Sequence, residues 1–334
     1  MAFRRFVIAA GRRIRGRDAG HDSTEQADIV FEDEWTAGTM LAELASPRKA
    51  VDVVSPSERS GGGGTEIRQP IGPHSPFLDQ VEPLLTLDDF SCALPDGFPD
   101  HAHRGFETLT YMLPDSPGSL THEDFLGNSG ILRPGDAQWM TCGRGIVHSE
   151  VPESHFIVRG LQLWLNLAAE NKMLQPNYCD VPRSTQTRAE VDGVRAIIIT
   201  GEALGCCSSV ETHTPSLFVH FCMKPHSRLV QPIPQGFSAI IYTLRGEANY
   251  AESLTSAYRC VVLSRGDAED GVLVTTDASE ASFVLIAAKP TGQPVVRQGP
   301  FVMCSQSQIR DSMLDYQLGR NGFEGAEAWS STKK

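Results

Sequence analysis

No stretch of this chain approaches the roughly 20 consecutive apolar residues that span a bilayer, so no helical membrane anchor is expected. Positive charge is also scarce. With 29 Lys and Arg against 41 Asp and Glu, the formal net charge of −12 argues against a basic surface of the kind that grips nucleic-acid phosphates. Any role at DNA would therefore run through a protein partner. The eight cysteines contain no Cys-x-x-Cys and no regular spacing, which argues against a zinc-finger framework or a disulfide scaffold. They read as reduced thiols of an intracellular compartment. Cys142, six residues before His148, reads as a small buried hydrophobe.

Turn residues are abundant, with 30 Gly and 21 Pro in 334 residues, a length that holds two domains with sizeable cores. The first 17 residues carry six arginines and no acid, and residues 18–34 then carry seven acids and no Lys or Arg. Such a start reads either as a mitochondrial presequence or as an extension outside the fold, so residues 1–47 are set apart as disordered or targeting. Ser60 and four glycines at 61–64 make a flexible tip between expected strands at 50–54 and 65–69. Short strands separated by turns follow at 84–87, 107–113, 130–132, 138–142 and 160–166, the pattern of a sandwich or barrel. The polar stretch 171–192, broken by Pro176 and Pro182, reads as a linker. A second β-rich unit has strands at 194–200, 217–223, 237–244, 260–263, 271–274 and 282–288, with turns at Arg245-Gly246 and at 265–267. Ser305-Gln306-Ser307-Gln308 is a capping-box pattern, and Ile309, Met313 and Tyr316 form the apolar stripe of a helix ending at Gly319.

Against this background two short motifs stand out: His101-Ala102-His103 and, 45 residues after the second histidine, His148-Ser149-Glu150. Alternate side chains of a strand share a face, so each motif would present two metal-binding groups side by side. Ten histidines in 334 residues give roughly 0.3 His-x-His pairs by chance, so spacing alone means little. Context adds weight, because both motifs fall at strand-turn junctions. Two such strands lying together would form a pocket of three imidazoles and one carboxylate. The second unit has no equivalent: His213, His220 and His226 are scattered.

The stretch GFPDHAHRGFETLTY at 97–111, HEDF at 122–125 and RPGDAQWMTCGRGIVHSEVP at 133–152 strongly resemble the pirin family. GLQLWLNL at 160–167, GPFVM at 299–303 and NGFE at 321–324 continue the resemblance, which spans about residues 48 to 329. Ala102 is a departure, standing where most of that family has proline. The resemblance implies an all-β protein of two stacked cupin (jelly-roll β-barrel) domains with a short C-terminal helix. On that reading residues 48–180 form a metal-binding barrel, 181–302 a metal-free barrel, and 303–334 a helix and tail packing back on the body. It also implies one metal ion on His101, His103, His148 and Glu150.

Three imidazoles and a carboxylate with no thiolate suit a divalent first-row metal with open positions. Fe(II) is favoured by resemblance, while Mn, Ni, Co, Cu or Zn suit the same ligands. The family's described activity implies a dioxygenase acting with O2 on a flavonol such as quercetin, opening its ring with release of CO. Glu150 would then also be a candidate general base. Glu107 becomes a candidate support behind the ligands if strand parity runs on from His101 and His103. A competing reading from the same resemblance is a nuclear transcriptional co-regulator whose iron governs binding to a transcription factor. Another metal-dependent cupin reaction is a third. A monomer in nucleus and cytoplasm is implied, with the mitochondrion as the alternative that the Arg-rich start raises.

Overall fold

The computed structural model describes residues 34–41, 43–60 and 65–333. The Arg-rich start, and with it the presequence question, lies outside the described residues, as does the glycine tip at 61–64. No described helix is long and apolar enough to cross a membrane.

Successive β-branched and aromatic residues such as Ile197-Ile198-Ile199 and Phe283-Val284-Leu285-Ile286 form strands buried on both faces. Two large sheets result. One runs in the order Asn177–Val181, Ala137–Thr141, Phe106–Met112, Val158–Asn166, Leu84–Cys92, Glu66–Ile71 and Ser57–Ser60. The other holds Val194–Thr200, Ser216–Met223, Ala281–Ala288, Ser238–Tyr250 and Cys260–Leu263 side by side. Their facing surfaces share one apolar core, to which the first sheet gives Leu109, Trp139 and Leu163 and the second Ile197, Phe218 and Ile286. Each fully buried side chain of this kind contributes about 1.5–3 kcal/mol. Two polar pins cross the core. Tyr111 of the first sheet shares a hydrogen bond with His220 Nδ1 (2.8 Å), and Tyr242 of the second donates to Asp89 Oδ2 (2.8 Å).

Each sheet is also one wall of its own barrel. A four-stranded sheet, ordered Phe98–His103, Ile146–Pro152, Leu120–Asp124 and Ser129–Leu132, lies across the first. The second barrel is filled by apolar side chains including Val219, Phe221, Leu229, Val272, Phe283 and Leu285. The expected architecture of two barrels and a C-terminal helix is the observed one.

Three details differ from the sequence reading. The polar stretch at 171–192 contains the strands Asn177–Val181 and Thr187–Val191, because Pro176 and Pro182 bracket the first instead of interrupting it. The turn expected at Arg245-Gly246 lies inside the long strand Ser238–Tyr250, which bulges between Thr243 and Arg245 and continues through Gly246 (φ +73°) opposite Ala281.

The chain ends, finally, are exchanged between barrels. Thr36–Ala37, within the expected extension, pairs with Thr187–Val191, and Ala50–Val54, expected in the first barrel, pairs with Cys260–Leu263, so both belong to the second sheet. Conversely, the hairpin Val296–Gln298 and Phe301–Met303 returns to the first barrel, where Val302 is buried beside Phe106 and Ile146. The helix Gln306–Gln317 follows, its N-terminus capped by Ser305, which accepts from the Gln308 amide. Ile309 is buried against Ala102, Val147 and Phe323, and Met313 packs on the same cluster.

Candidate metal centre

Phe98–His103 and Ile146–Pro152 pair antiparallel with His101 opposite His148. The shared face predicted for alternate residues brings His101, His103 and His148 together, with one ligand atom from each within 4.8 Å of the others. His103 and His148 are buried, and His101 is half-buried. His101 Nδ1 donates to the Pro99 carbonyl (2.8 Å), which leaves the Nε2 lone pair directed at His148 Nε2, 3.0 Å away.

Burial holds all three imidazoles below their usual pKa, and for His103 and His148 their mutual repulsion with His101 adds to it. They are therefore neutral at physiological pH, the form that binds metal. Two imidazole nitrogens about 2.1 Å from one ion and at right angles about it stand roughly 3 Å apart. The donor set and its spacing thus fit a divalent ion.

Glu150 lies on the same strand two residues beyond His148, after an irregularity in the pairing with Phe98–His103. It stands outside the group of three whose ligand atoms lie within 4.8 Å of one another. Its oxygens instead accept hydrogen bonds from Thr110 Oγ1 (2.9 Å) and Gln162 Nε2 (3.0 Å). Burial pushes its carboxyl up to about 7 against the pull of those two bonds. Such a group exchanges a proton near neutral pH.

Glu107 is placed elsewhere. Strand parity does not run through from His103, because Gly105 (φ +88°) redirects the chain before Phe106–Met112 begins in the other sheet. A side chain at Gly105 would strike the Val302 carbonyl. Even-numbered positions after this break face the imidazoles: the Phe106 ring lies 5.1 Å from that of His103, and Thr110 reaches Glu150. Odd positions face the inter-sheet core. Glu107 accepts from Thr141 there (2.9 Å), and burial raises its carboxyl.

Other residues of the pocket escaped the sequence reading. His122 stands opposite Glu150 on the neighbouring strand and shares a hydrogen bond with Gln138 (2.9 Å), which also donates to Asp180 (2.8 Å). His122-Glu123-Asp124 repeats the alternate spacing of the two ligand motifs and was the available signal. Trp164 meets the His103 ring edge-on at 4.9 Å and stacks on Phe106 at 4.5 Å. Cys142 is fully buried, as expected of a small hydrophobe.

Two barrels sharing a sheet-to-sheet core, with one histidine cluster inside the first, define a two-domain cupin. Comparison with known proteins narrows the class. Residues 62–165 match the Pirin family model and residues 218–322 that of the Pirin C-terminal cupin domain. A pirin-like protein of Solanum lycopersicum is 44% identical over 297 residues, covering 88% of this chain and 99% of the relative. The chain belongs to the pirin family.

Among solved structures, a quercetin 2,3-dioxygenase from Acinetobacter baumannii superposes with a TM-score of 0.76 at 22% identity, covering 83% of this chain and 99% of that one. A bacterial pirin from Escherichia coli in complex with nickel(II) gives 0.59 at 19% identity, covering 72% and 99%. At these identities the likeness concerns the fold.

Proposed function

We propose that the protein is a metal-dependent dioxygenase that opens the ring of a flavonol such as quercetin with O2, releasing CO. The observation that carries this reading is the convergence of three neutral imidazoles beside a buried carboxyl that titrates near 7. The fold likeness to a quercetin 2,3-dioxygenase supports it. His101, His103 and His148 would hold the ion, with Glu150 as fourth ligand at rest. Fe(II) is the proposed occupant, and Mn, Ni, Co, Cu or Zn suit the same donors; the nickel-bound neighbour supports a divalent ion. Such an ion, when bound, supplies Lewis acidity toward the flavonol hydroxyl and a partner for dioxygen.

The remaining work falls to side chains. Glu150 takes the hydroxyl proton and returns it, held in place by Thr110 and Gln162. Phe106 and Trp164 form an aromatic wall against which a planar substrate packs and from which water is excluded. Iron-loaded protein in air should bleach flavonol absorbance and release CO, and His103→Ala should abolish both. Full metal occupancy without turnover, or turnover that survives His103→Ala, would overturn the proposal.

A second reading, a nuclear co-regulator whose metal state governs partner binding, is favoured by one observation. The back of the ligand strands, Ala102 and Val147, packs directly on the C-terminal helix, and Leu314 on that helix and Leu318 just past its end are exposed. A change at the imidazoles thus has a short route to the surface. Partner binding that persists after metal removal would count against it. On either reading we place the protein inside the cell, where native N-terminal mass spectrometry separates mitochondrial processing from an intact Met1.

A further inference from the structure

The wall of the metal pocket carries a cation that arrives from the far end of the chain. Arg297 sits on Val296–Gln298, in the hairpin that returns to the first barrel. Its guanidinium lies 4.5 Å over the Trp164 ring, and Nη1 donates to Thr86 Oγ1 at 2.9 Å. Because Trp164 meets His103 edge-on at 4.9 Å, the guanidinium is one side chain removed from a candidate ligand.

The charges around it do not cancel. Asp88 is the nearby carboxylate, but it spends Oδ2 on Arg59 (2.9 Å) and Oδ1 on Gln69 (2.6 Å). Among the described residues no carboxylate forms an ion pair with Arg297. Arg59, Asp88 and Arg297 together leave one net positive charge beside three neutral imidazoles. A half-buried guanidinium costs free energy unless an anion or ring face compensates it. The Trp164 face supplies part of that compensation. The contacts to Thr86 and, at 3.5 Å, to the Gly299 carbonyl use Nη1 and Nε and leave the rest of the fork open.

We propose that Arg297 is a specificity-determining residue that makes the pocket prefer planar aromatic substrates bearing an anionic oxygen group, a carboxylate or an enolate, over neutral ones. The proposal rests on the reading of this pocket as a substrate site beside a metal. The guanidinium fork matches paired oxygens, and the indole beneath it, stacked on Phe106 from the other side, holds the fork in place.

The test uses salicylate and its neutral isostere salicylamide, titrated calorimetrically into the full iron-loaded chain under argon. The metal itself favours salicylate in every variant, so the readout is the change each substitution makes for each ligand. Arg297→Gln should weaken salicylate about tenfold to a hundredfold, the range of one charge-assisted hydrogen bond, and leave salicylamide within about twofold. Arg297→Lys should fall between, keeping the charge and losing the fork. Metal content should be equal in all three proteins. If Arg297→Gln weakens both ligands alike, the residue merely supports Trp164 and the proposal falls; it falls equally if neither ligand changes. Loss of the charge preference in Arg297→Gln together with absent flavonol turnover in wild type would sink the dioxygenase reading alone. Turnover in wild type with an unaltered preference in Arg297→Gln would sink this inference alone.

Discussion

His220→Gln isolates the electrostatic cost of the domain interface. His220 is buried between the sheets, with Nδ1 2.8 Å from Tyr111 Oη and Nε2 2.8 Å from Ser282 Oγ. Burial lowers its pKa from 6.5 to about 4, with Asp115 pulling the other way and Arg245 adding to the depression. The unfolded chain therefore binds a proton that the folded chain refuses between those two values. Stability from this site is complete above about pH 6.5 and is lost as pH falls toward 4. At about 1.4 kcal/mol for each pH unit the whole window amounts to roughly 3 kcal/mol, of which roughly 2 has gone by pH 5. Glutamine reproduces one acceptor and one donor at similar positions and does not titrate. In urea denaturation at matched metal content, the stability of wild type relative to His220→Gln should drop by about 2 kcal/mol between pH 7 and pH 5. The other buried histidines titrate equally in both proteins and cancel. A difference that stays constant over that interval would refute the argument, because it would mean that His220 accepts its proton in the folded state as readily as in water.

Two further substitutions probe the supports of the metal site. Arg104, fully buried next to His103, donates to the carbonyls of Arg144 (2.6 Å) and Asn321 (2.7 Å) and to Asp315 (3.0 Å) on the C-terminal helix. Arg104→Ala should cost about 3 kcal/mol in urea denaturation and speed amide exchange across Gln306–Gln317; unchanged exchange would show that the helix is held by its apolar contacts alone. Gln162→Leu removes a hydrogen bond that favours the charged form of Glu150, so its carboxyl should titrate roughly one unit above its present value near 7. Carboxyl infrared bands followed against pH, with Glu150→Gln to assign them, check this, and an unmoved midpoint would contradict the assigned role of Gln162.

The convergence of His101, His103 and His148 was legible because strand alternation acts within six or seven residues, and the two motifs that carry them lie inside single strands of that length. Legibility ended where the chain changed sheet. Glu107 has the parity of His101 and His103 in number but not in space, since the positive φ of Gly105 resets which face each residue takes. Had that break been placed, alternation would have pointed to Phe106 and Thr110, which do face the pocket. Pro176 and Pro182 misled in a related way: proline marks the limits of a strand as readily as it marks a loop, and sequence alone does not distinguish the two. Gln162, Trp164 and Arg297 come from strands remote in sequence, and only the pairing of those strands shows what they reach.

The second barrel holds no histidine cluster among the described residues, yet the first depends on it for two separate things. The sheet that carries Thr110, Gln162 and Trp164 on its pocket side has Leu109, Leu161, Leu163 and Trp139 on the other, and only the second sheet removes these from water. The hairpin at 296–303 places Val302 against Phe106 and Arg297 against Trp164, so the pocket wall is completed by chain that first passes through the second barrel. Lys172, fully buried, bolts that hairpin down: its Nζ donates to the carbonyls of Gly105 (2.8 Å) and Val302 (3.1 Å) and to Asn166 Oδ1 (2.6 Å). Gly105 is also the residue at which the histidine strand turns into the next sheet, so the fixing point of the returning chain and the hinge of the ligand strand coincide. A chain ending near residue 190 would keep all three histidines and lose the segment that holds one of them in place. The second barrel is thereby explained as part of the site, acting through packing and through the path of the chain.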